Sequence, residues 1–158
     1  MKKPTLYLET SVPSYLLAEP SRDVIAVGRQ ELTRKWWLRD HGRFDIFVSE
    51  VVLEEAGEGN PKAAKKRLEF LEKFEVLKTT PEVERLAQFN VLNKVVPPKY
   101  QRDGAHLALA SLFEIDFLCT WIFRHLANAF ALKRFRDLNK KEGLFVPQVC
   151  TPEELFGE

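Results

Sequence analysis

The chain has 158 residues, 45% of them apolar, and a formal net charge of +1. That is enough for one domain spanning 1–158 with a sizeable core. The near-neutral balance excludes an overall polyanion-seeking field, so any nucleic-acid contact must come from local patches.

Leu6–Leu8 reads as a first, buried strand, followed by a short helix near Pro13–Ala18. Ser21 is placed to cap a long helix ending near Asp40, with Ile25, Leu32 and Trp36 at helical spacing and Gly42 as its stop. Of the adjacent Trp36 and Trp37, only one is expected to face the core. The other, with Tyr15, Leu16 and Leu17, would serve a partner surface. Phe44–Val48 is a second strand, and Ser49 caps a helix from Glu50 to Ala56. Asn60-Pro61 is a cap followed by proline at the first helical position, opening a charged helix from Lys62 to Lys73. Phe74–Leu77 is a third strand, and Thr80-Pro81 opens a helix to about Asn93. After the rigid Val95–Pro98 segment, Asp103 begins a helix that is apolar nearly all round and therefore central. Asp116–Thr120 is a fourth strand, and a helix is expected from His125 to Lys141. Phe145–Cys150 is a last short strand before a terminal turn at Thr151-Pro152. Strands alternating with helices predict an α/β fold, with a mostly parallel sheet covered on both faces.

Cys119 and Cys150 are far apart in apolar surroundings and show no zinc-site or disulfide spacing. They read as buried free thiols of a reducing, cytoplasmic setting. Pro4 and Glu9 interrupt any signal-peptide apolar region, and no run is long enough to span a membrane.

Glu9 is the residue hardest to explain blandly. A carboxylate ending a central parallel strand lies where open α/β sheets bind ligands, and leaving it buried without a partner is costly. Two further acidic positions stand out: Glu54 or Glu55 after the second strand, and Asp103. Acids distant in sequence but gathered at one sheet edge form a hard oxygen site suited to magnesium or manganese. Each has a structural alternative. Asp103 serves equally as a helix N-cap, and Glu54 and Glu55 suit a solvated helix face. His106, within the apolar helix, reads as a hydrogen-bonded core histidine. Lys62, Lys65, Lys66 and Arg67, like Lys133, Arg134, Arg136, Lys140 and Lys141, read as solvated helix faces that can also track a nucleic-acid backbone.

Four segments in order, Tyr7-Leu8-Glu9-Thr10-Ser11, Val48 through Glu55, Asp103-Gly104-Ala105-His106-Leu107-Ala108-Leu109-Ala110 and Phe117-Leu118-Cys119-Thr120-Trp121, resemble the PIN domain. With the closing Phe145 through Leu155, they resemble more narrowly the VapC-type toxins of toxin–antitoxin pairs. The resemblance covers Thr5 to Leu155. It implies a three-layer α/β/α fold with a four- to five-stranded sheet and a magnesium- or manganese-dependent endoribonuclease activity. An RNA substrate, a cognate antitoxin and a homodimer are implied as partners. Glu9 takes the place of the family's first aspartate. Glu55, with Glu54 as fallback, matches the second acid, and Asp103 the third. Thr10, Ser11 and Thr120 fall where hydroxyls support the metal shell. At the family's fourth position, where Asp or Asn is expected, stands Ile122, which cannot ligate a metal. A three-acid site of reduced activity and a non-catalytic binding module both follow from that departure. Arg124 and His125, expected to open the next helix at the same edge, are candidate phosphate contacts.

Overall fold

The computed structural model describes residues 2–157. In chain order these form β1 (Thr5–Leu8), α1 (Ser11–Leu17), α2 (Val24–Asp40), β2 (Asp45–Ser49), α3 (Glu50–Ala56), α4 (Pro61–Leu71) and β3 (Glu75–Leu77). There follow α5 (Pro81–Leu92), α6 (Gln101–Leu112), β4 (Phe117–Cys119), α7 (Ala129–Lys141) and β5 (Gln148–Cys150). The strands lie side by side in the order β3-β2-β1-β4-β5, and every neighbouring pair is parallel. The α/β alternation expected from the sequence is thus realised.

β1 is the hinge of this topology. The chain leaves it on one side through β2 and β3, and returns on the other through β4 and β5, so strand order reverses at β1. Ligands of open α/β sheets bind outside the carboxyl ends of the strands at such a reversal. Successive strand residues point to opposite faces, yet Leu6, Tyr7 and Leu8 are all fully buried, so both faces are covered. Each such side chain contributes about 1.5–3 kcal/mol of burial.

Capping explains most helix starts. Ser49 accepts from Val52 N–H, Asn60 from Lys62 and Ala63, and Thr80 from Val83. Three starts differ from the sequence expectation. α2 is capped by Asp23, which accepts from Ala26 N–H, while Ser21 instead accepts from Asp23 N–H in the preceding turn. α6 begins at Gln101, so Asp103 lies in its first turn and caps nothing. α7 begins at Ala129, capped by Asn128, so Arg124 and His125 stand in a turn before the helix and not at its N-terminus. Asn128 spends its carbonyl oxygen on Phe130 and Ala131 N–H.

Trp36 and Trp37 are both buried, which corrects the expectation that only one would be. Trp36 enters the core, while Trp37 packs edge-on against Phe70 and Phe74 and stacks on His41. The inward face of α2 also carries Gln30 and Thr33, whose polar atoms are satisfied by Glu19 and Arg29 carbonyls, Ser21 N–H and the Trp121 indole. Ile25 is turned outward. Apolar spacing misplaces a face whose inner residues are polar and hydrogen-bonded. Both cysteines are buried and free, in register on β4 and β5. The Lys62–Lys66 and Lys133–Lys141 cations line exposed helix faces. Among the described residues, no helix is long and apolar enough to cross a membrane.

Candidate metal centre

The backbone brings Glu9 to the carboxyl end of β1 by ending that strand early. Glu9 N–H still bonds the Cys119 carbonyl of β4, and Val12 N–H bonds the Glu9 carbonyl as α1 begins. Its side chain is 3% exposed. One carboxylate oxygen, Oε1, accepts from Ser11 N–H, the Ser11 hydroxyl and the Thr120 hydroxyl, the last at 2.7 Å. Among the described residues no hydrogen bond falls on Oε2. The two hydroxyls carry this shell outward along β4: Trp121 N–H bonds Ser11 Oγ, and Ile122 N–H bonds Thr120 Oγ1.

Glu55 arrives from α3. Its side chain is 18% exposed, against 68% for Glu54, so the helix turns the second of the pair inward. Oε1 accepts from the Thr10 hydroxyl and from His106 Nε2, both at 2.7 Å. Oε2 lies 3.7 Å from Arg102 Nε. That guanidinium is otherwise committed to Glu58, in a two-pronged pair at 2.8 and 3.0 Å. Burial alone raises the Glu55 pKa, but the hydrogen bond and charge of His106, the Thr10 hydroxyl and the Arg102 charge reverse the sign, and Glu55 sits below the usual carboxylate range.

His106 is completely buried. Its Nδ1 is 2.6 Å from the Tyr7 hydroxyl, which is itself 2.7 Å from Ser49 Oγ. Ser49 Oγ in turn accepts from Val52 N–H. The links close a ring from the start of α3, through β1 and α6, back to α3 one turn later. When His106 is neutral, Tyr7 donates to Nδ1 and Nε2–H donates to Glu55; when it is protonated, Nε2–H still donates to Glu55. Burial would depress the His106 pKa, but Glu55, Glu9 and Asp103 outweigh it and raise it. Burial, above all, holds the Tyr7 phenol well above its ordinary value, so it stays a hydrogen-bonding hydroxyl.

Single ligand atoms from Glu9, Glu55 and His106 lie within 4.8 Å of one another, close enough to surround one ion. Both His106 nitrogens are already engaged, however, so His106 is better placed to orient Glu55 than to ligate. Asp103, three residues earlier on the same helix, lies outside this group of ligand atoms and is coupled to it through charge. Its pKa is raised to about 6, first by burial and then by the charges of Glu9 and Glu55, against the opposing pull of His106 and Arg102. Burial first, and then the charges of Glu9 and Glu55, hold Asp103 toward its protonated form, so the centre is acidic and short of positive charge. A divalent cation supplies that charge, and the donors are hard oxygens.

The remaining candidates divide. Thr10, Ser11 and Thr120 all hydrogen-bond a site carboxylate. Ile122 is half-buried against the core, leaving no polar side chain at that position. Arg124 is exposed. His125 stacks on Tyr100 with ring centres 3.8 Å apart, and burial, then the Arg124 charge, lower its pKa. The sequence reasoning missed the Tyr7–His106–Glu55 connection. That connection joins residues of β1, α6 and α3, so no spacing within one element signals it.

The ring carries a first expected outcome. Tyr7→Phe removes one hydroxyl, leaves buried His106 Nδ1 without its partner and leaves Ser49 Oγ with only Val52 N–H. Denaturant unfolding should show a loss of about 1–3 kcal/mol, and an unchanged midpoint would mean that the links bear no energy.

No family model matches the chain, and no curated relative does. Solved structures do share its fold. VapC20 of Mycobacterium tuberculosis, described as a toxin that cleaves the sarcin-ricin loop, superposes with a TM-score of 0.55 at 15% identity, covering 72% of this chain and 87% of that one. VapBC2 of Rickettsia felis, solved with a DNA fragment from its promoter, gives a TM-score of 0.52 at 13% identity, covering 93% and 98%. The fold is therefore the PIN-like fold of VapC toxins.

Proposed function

We propose that this protein is a divalent-metal-dependent endoribonuclease of the VapC type, with Glu9, Glu55 and Asp103 holding the cation. The observation that carries this reading is the approach of Glu9 and Glu55 ligand atoms, with His106, to within 4.8 Å of one another after the central strand of a VapC-like fold, with Asp103 coupled to both acids through its charge. Glu9 offers its unengaged Oε2. Glu55 is held ionised and oriented by His106, Thr10 and Arg102. Asp103, its pKa raised to about 6, would bind the ion in its ionised form. Magnesium or manganese, when bound, lowers the pKa of an attacking water and neutralises charge developing on a phosphodiester. The Ser11 and Thr120 hydroxyls keep Glu9 pointed at the ion, as carboxylate partners generally do. Arg124, exposed in the turn after β4, suits a substrate phosphate. His125, pushed toward its neutral form, suits stacking better than charge. A cognate antitoxin and a homodimer belong to the same reading.

Purified protein incubated with RNA should cleave it with manganese or magnesium and stop in EDTA. Cleavage that survives EDTA, or that is equal in Asp103→Asn, defeats the proposal.

Ile122 supports a second reading, a binding module without catalysis, because the edge lacks a fourth polar ligand. Ile122→Asn separates the two. For a three-acid enzyme the substitution should raise metal affinity and cleavage roughly tenfold, the scale of one added supporting contact. For a module without catalysis, the wild type should be silent and only the variant should cleave.

A further inference from the structure

Next to the acid cluster lies an arrangement that the metal chemistry does not use. Directly beyond Thr120, which bonds Glu9, the chain runs through Trp121, Ile122 and Phe123. Trp121 is buried and tied to Ser11 through its backbone N–H and to Thr33 through its indole. Ile122 packs on the core, and Leu126 is fully buried, so the segment is already anchored on both sides of Phe123. Phe123 is nevertheless 41% exposed. The Arg29 guanidinium of α2 sits 4.8 Å from its ring centre and 5.8 Å from that of Trp121. Among the described residues no carboxylate pairs with Arg29. Its guanidinium also lies 3.5 Å from the Tyr15 hydroxyl.

An acid-free guanidinium held over an incompletely covered aromatic ring is the chemistry that receives a nucleobase. Every base has a π-face, cationic and aromatic groups both stack on it, and the neighbouring phosphate favours the positive charge. We propose that Phe123, backed by Arg29, is a stacking platform for one unpaired RNA base beside the scissile phosphate. The position argues for this site over a general surface: two hydrogen bonds link the backbone next to Phe123 with the hydroxyls that hold Glu9. A base locked in a duplex cannot lie on the ring, so the platform selects single-stranded substrate. The inference rests on the ribonuclease reading for its substrate class.

Binding measured apart from cleavage tests it. The full-length protein in EDTA is titrated into a fluorescently labelled single-stranded RNA, the same RNA annealed to its complement, and single-stranded versions carrying one abasic position. Wild type should prefer the single strand, Phe123→Ala should weaken that binding about tenfold, the scale of losing one base–aromatic stack, and Phe123→Trp should restore it. One abasic position should weaken the wild type and leave Phe123→Ala unaffected. Equal affinity of Phe123→Ala and wild type for the single strand, or equal affinity of wild type for single strand and duplex, overturns the platform. Single-strand binding that depends on Phe123, with no metal-dependent cleavage, would sink the nuclease reading and leave the platform standing.

Discussion

Asp103→Asn should do two opposite things at once: abolish metal-dependent cleavage and make the metal-free protein more stable at neutral pH. The loss follows from removing one of the three carboxylates proposed to hold the ion, which should cost about 100-fold or more in rate. The gain follows from the raised pKa. In the folded protein Asp103 titrates near 6, whereas in the unfolded chain it titrates near 3.9. The folded state therefore binds the proton more tightly. Below about pH 4 the group is protonated in both states and imposes no penalty. As pH rises through 6, the folded protein must ionise a half-buried acid beside Glu9 and Glu55, and stability declines. At pH 7.5 the penalty is up to about 2 kcal/mol once solvent screening is allowed for, and the asparagine variant escapes it. Thermal unfolding in EDTA should show Asp103→Asn above wild type at pH 7.5 and level with it at pH 4. A variant destabilised at both pH values would mean that Asp103 is a structural acceptor and not a strained ligand.

Glu9→Gln should preserve the fold and lose the metal. Glutamine keeps the shape and a carbonyl oxygen able to accept from Ser11 N–H and from the Ser11 and Thr120 hydroxyls. It removes the negative charge at the point where β1 meets the reversal in strand order. Unfolding midpoints should remain close to wild type. Metal affinity and cleavage should each fall roughly 100-fold, because a hard divalent cation selects charged oxygen ligands. If the substitution leaves metal affinity unaltered, Glu9 serves only to bind the two hydroxyls, and the centre must lie elsewhere.

The sequence carried the order of elements well because local physics sets it. Caps at Ser49, Asn60 and Thr80, and the short apolar runs of the parallel strands, fixed helix starts and strand positions. Glu9 was legible as an acid ending a strand, Glu55 as one in the helix after the second strand and Asp103 as one near a helix start; ligand atoms of Glu9 and Glu55 lie together with His106, and Asp103 is coupled to them through charge. Less was legible where long-range partners decide. The polar inner face of α2 owes its burial to bonds with Glu19, Ser21 and Trp121 that apolar spacing cannot register. The late start of α7 follows from Asn128 acting as its cap. The ring of Ser49, Tyr7, His106 and Glu55 joins three elements across the whole chain, and no spacing within any one of them announces it. His106 is indeed a hydrogen-bonded core histidine, as its apolar helix suggested, but its partner is a site carboxylate.

The account depends most on whether the acid cluster holds a divalent cation. Calorimetric titration of manganese into the wild-type protein near pH 6 tests this directly. One saturable site should appear, with release of part of a proton as Asp103 ionises, and it should vanish in Asp103→Asn. Absence of binding in the wild type, or undiminished binding in Asp103→Asn, would contradict it.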